Sequence, residues 1–115
     1  HERFKANFPI RYHYEDDGQK IEDSGIVRDI SANGILFTHT KQVVKENKLC
    51  LSFEIPHCGS ILNQMADIRN IRKNPKSETS PFVTGIKWRD ISPATEASIT
   101  KLIQTRLADR RNEMR

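Results

Sequence analysis

Residues 29–34 (DISANG) place a carboxylate, a hydroxyl and a glycine on one short connection between two apolar stretches. The carboxylate of Asp29 can accept hydrogen bonds from a base or hold a guanidinium, and the hydroxyl of Ser31 can bond to a base edge or a phosphate. Gly34 lets a ligand approach the backbone closely because it carries no Cβ. The same residues also suit an ordinary hairpin turn, since Asn-Gly is a strong hairpin signal and Asp and Ser cap turns.

Arg3 is a second candidate for ligand binding. A guanidinium pairs bidentately with phosphate oxygens or with O6 and N7 of guanine, and it also stacks on bases. Lys5 and Arg28 could add attraction for an anion, although a solvated surface position is the simpler interpretation of each. The chain has 19 Lys and Arg against 15 Asp and Glu, which favours anionic partners.

The residue types that support catalysis or metal binding are scattered along the chain. His13, His39 and His57 form neither a Ser-His-Asp nor a His-Glu-x-x-His arrangement. Cys50 and Cys58 form no CxxC motif and are expected to be reduced thiols. The sequence therefore predicts a protein that is not an enzyme and that has neither a metal site nor another cofactor.

Length and composition predict one small domain. The chain has 115 residues, of which 36% are hydrophobic, and this suffices for a single modest core. No apolar run approaches the roughly 20 residues of a membrane-spanning helix and no secretory leader is present, so a cytoplasmic location is expected. The chain begins at His1 rather than at a methionine, which indicates a fragment of a longer polypeptide.

Six stretches have the pattern of β-strands. In the first, Phe8, Ile10, Tyr12 and Tyr14 alternate with polar residues, and Gly25 in the second suggests a bulge or bend. The fifth also fits a helical stripe, but its β-rich surroundings favour a strand. Six strands in meander order predict a closed or nearly closed barrel. The predicted strands span residues 7–14, 20–30, 35–40, 49–55, 61–71 and 82–88, with a mobile polar loop at 72–81.

The C-terminal segment has the pattern of an amphipathic helix over residues 92–111. Ser92 is a suitable N-cap, and Pro93 suits the first helical position. The apolar residues that share one helical face and should pack on the barrel are Ile99, Leu102, Ile103 and Leu107.

Three segments together resemble the PilZ domain family: residues 3–12 (RFKANFPIRY), 29–34 (DISANG) and 83–93 (VTGIKWRDISP). The resemblance implies a mainly β fold, a six-stranded antiparallel β-barrel with a C-terminal helix, that acts as a bacterial receptor for cyclic di-GMP. It spans nearly the whole chain and divides it into a flexible N-terminal arm at 1–6, a barrel at 7–91 and a helix at 92–111. The family signature combines RxxxR on the arm with D/N-x-S-x-x-G on a barrel loop.

The resemblance implies that Asp29, Ser31 and Gly34 face the ligand. Arg3 takes the place of the second arginine of RxxxR, which puts the first arginine two positions upstream of His1. In the alternative register Arg3 is the first arginine, and Asn7 stands where the second should be. The expected partners are cyclic di-GMP and a further domain or protein, with no DNA, RNA or membrane span.

Two other functions compete with this interpretation. A PilZ domain with a degenerate signature would act only as a protein-interaction module, and Asn7 in the alternative register would agree with that. A small basic barrel could instead bind single-stranded nucleic acid, for which Phe37 and Phe53 are loose stacking candidates. Trp88 is expected in the core or at the barrel rim rather than on a stacking surface.

Overall fold

The chain folds into six β-strands followed by one α-helix. A computed structural model describes residues 2–113. The elements are β1 (Phe4–Asp16), β2 (Gln19–Ser31), β3 (Gly34–His39), β4 (Lys48–Ile55), β5 (Gly59–Lys73), β6 (Phe82–Trp88) and α1 (Pro93–Glu113).

Alternating apolar residues build the core of the barrel. The four residues of β1 that were predicted to share a face are all buried, as are Leu49, Leu51, Phe53 and Ile55 of β4. Each large apolar side chain removed from water contributes about 1.5–3 kcal/mol to folding. The inward rows of the strands therefore provide the main stabilisation of the fold.

The strands form a closed antiparallel barrel in the order β1-β2-β3-β6-β5-β4. The structure confirms the predicted closure of the barrel, its antiparallel pairing and the strand at β5. The predicted meander order of the strands was wrong. β3 lies beside β6, and residues 40–47 carry the chain across to β4, which pairs with β1 through Ile10 and Phe53. Sequence alternation shows which face of a strand is buried, but it does not specify the neighbouring strand.

Gly25 does not form the predicted bulge. It lies opposite His39, where a Cβ would come 2.1 Å from the carbonyl oxygen of Thr38, so the glycine permits close contact with β3. The bulge of β2 lies at Arg28, between the paired positions Val27 and Asp29.

Helix α1 packs across the barrel through its first half. The backbone N–H of Thr95 donates to Ser92 Oγ at 3.1 Å, and the helix begins at Pro93, as predicted. Ile99 and Leu102 are buried, but Leu107 is 37% exposed, so the predicted apolar face was wrong at this position. No side chain of the helix from residue 104 to 111 is buried, so Leu107 shares its exposure with the whole second half of α1.

No helix in the described part of the chain is long and apolar enough to cross a membrane.

Candidate functional site

A shallow groove of about 110 Å³ lies on the outside of the barrel, across strands β2, β3, β6 and β5. All four residues that the sequence singled out, Arg3, Asp29, Ser31 and Gly34, line it. The other lining residues are Ile30, Asn33, Ile35, Leu36, Arg69, Asn70, Arg72, Gly85 and Ile86.

Strand register explains why these residues meet. Asp29 lies opposite Leu36, Leu36 opposite Gly85, and Gly85 opposite Asn70, so the four form one row across the sheet. Paired residues of antiparallel strands point to the same face, here the outer one. Three strand spacings separate the ends of the row, a width of roughly 14 Å. The groove is therefore as wide as a ligand with several recognition groups.

The DISANG segment forms the end of β2, a tight turn and the start of β3. The turn residues are Ala32 and Asn33, while Ser31 and Gly34 already pair across the two strands. Ser31 Oγ accepts a hydrogen bond from the backbone N–H of Asn33 at 3.3 Å and donates to the carbonyl of Gly34 at 3.4 Å. Both distances are at the long end for hydrogen bonds, so the hydroxyl can exchange them for a ligand atom.

Gly34 is required by the barrel itself. A Cβ at this position would come 1.9 Å from the carbonyl oxygen of Ile86 on β6. The glycine of the motif therefore has a structural role in the packing of β3 on β6, independent of any ligand.

The N-terminal arm joins the barrel earlier than the sequence suggested. Phe4 and Lys5, which fall within the predicted arm of residues 1–6, pair with Ile30 and Asp29 as the first residues of β1. This pairing brings Arg3 to the edge of the groove. His1 lies outside the described residues, and flexibility of the arm stays a prediction.

Asn7 lies away from the groove lining. Its side-chain carbonyl accepts a hydrogen bond from Arg28 Nη1 at 3.4 Å. The alternative register would give this exposed residue the place of the second arginine, whereas the preferred register gives that place to Arg3.

The charge of the groove favours an anion. The groove is lined by the guanidinium groups of Arg3, Arg69 and Arg72 and by the carboxylate of Asp29. The positive charges therefore exceed the negative ones by two. Guanidinium groups form strong, charge-assisted hydrogen bonds with phosphate oxygens. Among the side chains of residues 2–111, no group of three or more His, Cys, Asp or Glu is arranged to hold a metal ion.

Residues 1–105 match the sequence profile of the PilZ domain. The chain belongs to the PilZ domain family. No curated protein sequence matches the chain.

Solved structures of PilZ proteins share this fold. The Bacillus subtilis inhibitor of motility MotI/DgrA is 21% identical, with a TM-score of 0.70, over 94% of this chain and 51% of that one. The PilZ domain of Escherichia coli YcgR, solved with c-di-GMP, is 13% identical, with a TM-score of 0.67, over 98% of this chain and 94% of that one. The PilZ domain of CeSA, from a cellulose-synthesizing bacterium, is 15% identical, with a TM-score of 0.62, over 91% of this chain and 97% of that one. This chain thus spans about half of MotI/DgrA.

In this PilZ domain, β5 contributes groove residues that the sequence reasoning missed. A bulge between Ile68 and Asn70 leaves Arg69 without a partner on β6, so Arg69 and Asn70 are both exposed. Arg72 follows on the same side of the strand. The signal in the sequence was the three-residue spacing of Ile68 and Ile71, which breaks the two-residue period of a regular strand.

The aromatic residues considered for stacking on bases lie in the core of the PilZ barrel. Phe37 and Phe53 are both buried. Trp88 is also buried and stacks on Phe53, with ring centroids 6.4 Å apart, which confirms its predicted place in the core or rim. None of these three rings is available as an exposed stacking surface.

Proposed function

We propose that this PilZ domain is a cytoplasmic receptor for cyclic di-GMP, without catalytic activity, and that the ligand binds in the groove between β2 and β5. One observation carries the proposal: Arg3 and the three motif residues of the DISANG segment line the same cationic groove. The YcgR domain with the same fold was solved with c-di-GMP, which supports this choice of ligand.

Each groove residue has a role that suits a cyclic dinucleotide. Arg3 pairs with a phosphate or with the O6 and N7 edge of a guanine. Asp29 accepts hydrogen bonds from the N1 and N2 donors of guanine or holds an arginine in place. Ser31 contributes its hydroxyl to a base edge or phosphate, and Gly34 keeps the backbone accessible.

The small volume of the groove indicates how the arm takes part. About 110 Å³ is the space of a few water molecules, so a dinucleotide would lie across the surface rather than inside it. An arm with Arg3 and an upstream arginine that completes RxxxR would cover the exposed side of the ligand. Ordering of this arm would reorient an attached domain or create a surface for a partner protein.

Titration calorimetry with cyclic di-GMP, with GTP as the control ligand, tests the proposal. Two forms are compared: the chain itself and an N-terminally extended form that carries an arginine completing RxxxR with Arg3. Binding is expected to be tighter in the extended form. Arg3→Ala and Ser31→Ala should each lower the affinity at least about tenfold, since each removes a polar contact with a charged ligand.

Lys76→Ala is the matched control, because Lys76 is an exposed cation in the loop after β5 and lies outside the groove. Circular dichroism confirms that each variant is folded. If both forms are folded and neither binds cyclic di-GMP, the receptor proposal is rejected and a protein-interaction module takes its place.

A further inference from the structure

We propose that Arg69 and Arg72 of β5 form a second anion subsite in the groove, which binds the phosphate of cyclic di-GMP that lies farther from Arg3. This inference rests on the proposed function. It assigns a ligand role to residues that lie outside both halves of the family signature.

The bulge in β5 creates the subsite. Ile68 lies opposite Ile86 and Asn70 lies opposite Gly85, so Arg69 is the extra residue between two paired positions. A bulge of this kind redirects a side chain that a regular strand would turn inward. Because Ile68 is buried and Arg69 is exposed, the strand resumes with Asn70 on the outer face, followed two positions later by Arg72.

The two cationic edges lie on opposite sides of the groove. Arg3 precedes the first residue of β1, which pairs with β2, whereas Arg69 and Arg72 belong to β5, three strand positions beyond β2 in the barrel. A ligand that contacts both edges must therefore carry acceptor groups at two separate points. Cyclic di-GMP carries two phosphates, and the groove has a surplus of two positive charges.

Neither Arg69 nor Arg72 is neutralised by a protein carboxylate. Within residues 2–111, no Asp or Glu oxygen lies within 4.0 Å of either guanidinium, whereas Arg89, farther along the barrel, pairs with Asp67 at 3.4 Å. Both side chains are exposed, so they can turn toward a bound ligand without losing an ion pair. The structure thus provides two unpaired cations on one edge of the groove.

Gly85 keeps the floor between the two edges low. It lies in the centre of the row, between Leu36 and Asn70. A Cβ there would come 3.0 Å from Asn70 Oδ1, so the Asn70 side chain borders the space over Gly85. Because Gly85 itself contributes no side chain at this row, a ligand that moves the Asn70 side chain aside can reach both edges.

The test measures the affinity of the RxxxR-completed protein for cyclic di-GMP by titration calorimetry at two salt concentrations. Arg69→Gln and Arg72→Gln should each lower the affinity about tenfold, and the double variant about a hundredfold, because each loses a charge-assisted hydrogen bond. The double variant should also show a weaker dependence of affinity on salt. Arg69→Lys and Arg72→Lys retain the positive charge but lose the planar fork of the guanidinium, so their affinities should lie between those of wild type and of the glutamine variants.

Lys76→Gln serves as the control for a general loss of positive charge and should leave the affinity unchanged. Thermal melting should be the same for all of these exposed positions. If Arg3→Ala loses binding while the double glutamine variant retains it, the subsite is wrong and the proposed function stands. If the double glutamine variant binds more weakly but keeps the wild-type dependence of affinity on salt, the contact is not to a charged phosphate, which also overturns the subsite. If the wild-type protein does not bind, the proposed function fails and the subsite with it.

Discussion

Gly34 packs directly against the backbone carbonyl of Ile86, so closely that a Cβ on Gly34 would come 1.9 Å from the carbonyl oxygen. The two residues lie on neighbouring strands, where Ile35 pairs with Ile86 and Gly34 with Lys87. Backbone atoms cannot rotate away as a side chain can. The last glycine of the PilZ motif therefore serves the packing of β3 on β6 in addition to any role in ligand binding.

Gly34→Ala is expected to destabilise the fold, because β6 must shift to accommodate the methyl group. Overpacking of this kind costs about 1–3 kcal/mol, and against backbone the upper part of that range is expected. Urea unfolding monitored by circular dichroism measures the change in the free energy of unfolding. Gly85→Ala is the matched control, since its Cβ meets only the Asn70 side chain, at 3.0 Å. Equal stability of Gly34→Ala and wild type would contradict the packing argument.

Gly85→Val should have the opposite effect, with the fold retained and ligand binding lost. Valine suits a strand, and the Asn70 side chain can move aside, so the unfolding free energy should change by less than about 1 kcal/mol. The branched side chain would fill the middle of the groove. We expect the affinity for cyclic di-GMP to fall about tenfold or more in titration calorimetry. Unchanged affinity in the folded variant would place the ligand elsewhere on the barrel.

His39 is buried in the barrel as a neutral imidazole. Its Nδ1–H donates to the carbonyl of Lys41 at 2.8 Å, which leaves Nε2 to accept a hydrogen bond from Thr84 Oγ1 at 2.6 Å. A carbonyl can only accept, so it fixes this tautomer. Burial lowers the pKa of His39 below its ordinary value of 6.5. The folded state therefore takes up a proton at this site less readily than the unfolded state does.

Stability should consequently be full above about pH 6.5 and should decrease as the pH falls below it, by up to about 1.4 kcal/mol per pH unit. Urea unfolding between pH 7.5 and pH 5 measures this slope. Asp23 does not interfere, because burial, which raises its pKa, is outweighed by hydrogen bonds from Tyr12, Lys41, Ser24 and Thr40. Its pKa is therefore lowered from 3.8, and its contribution is lost only in more acidic solution.

Two variants assign the slope to His39. His39→Phe should be less stable overall, since it leaves the Lys41 carbonyl and the Thr84 hydroxyl without their partner, but its stability should vary less between pH 7.5 and pH 5. His57→Gln should keep the wild-type slope, because His57 is exposed. A His39→Phe slope equal to that of wild type would show that another group titrates.

The sequence predicts the strands of this fold better than their arrangement. The alternation of Phe8 and Ile10 marks an inward face because a half-buried strand has a period of two. The same pattern does not show that β3 pairs with β6, since this neighbour is set by a crossover of the chain and not by local residues. The prediction that Leu107 packs on the barrel was wrong for a similar reason. Helical spacing indicates which residues share a face, but it does not show where the supporting barrel ends.

The candidate site likewise contains some residues that were predictable from the sequence and others that were not. Asp29 and Ser31 were predictable because they stand together in a short motif, and register then places them beside Arg3. Asn70 and Arg72 were not predictable, because their outward position depends on a bulge, and the place of Arg69 in the groove depends on the pairing of β5 with β6. Residues from strands that are distant in sequence meet only after the barrel has closed.

The C-terminal end of α1 holds the N-terminal arm beside the groove. Arg110 forms an ion pair with Glu2, and its guanidinium lies 4.6 Å from the ring centroid of Phe4. Arg3, the proposed ligand residue, stands between these two contacts. The helix therefore restrains the residues that flank Arg3 on both sides.

Arg110→Ala should release the start of β1 without unfolding the barrel. An exposed cation–π contact is worth about 0.5–1 kcal/mol and a surface ion pair about 0.2–1 kcal/mol, so amide exchange at Phe4 and Lys5 should become about three- to thirtyfold faster. Arg111→Ala, one position farther along the helix, is the control and should leave that exchange unchanged. If Arg110→Ala does not alter exchange at Phe4, the arm is held by β1–β2 pairing alone. Faster exchange that cyclic di-GMP suppresses would link the arm, the helix and the groove in one response.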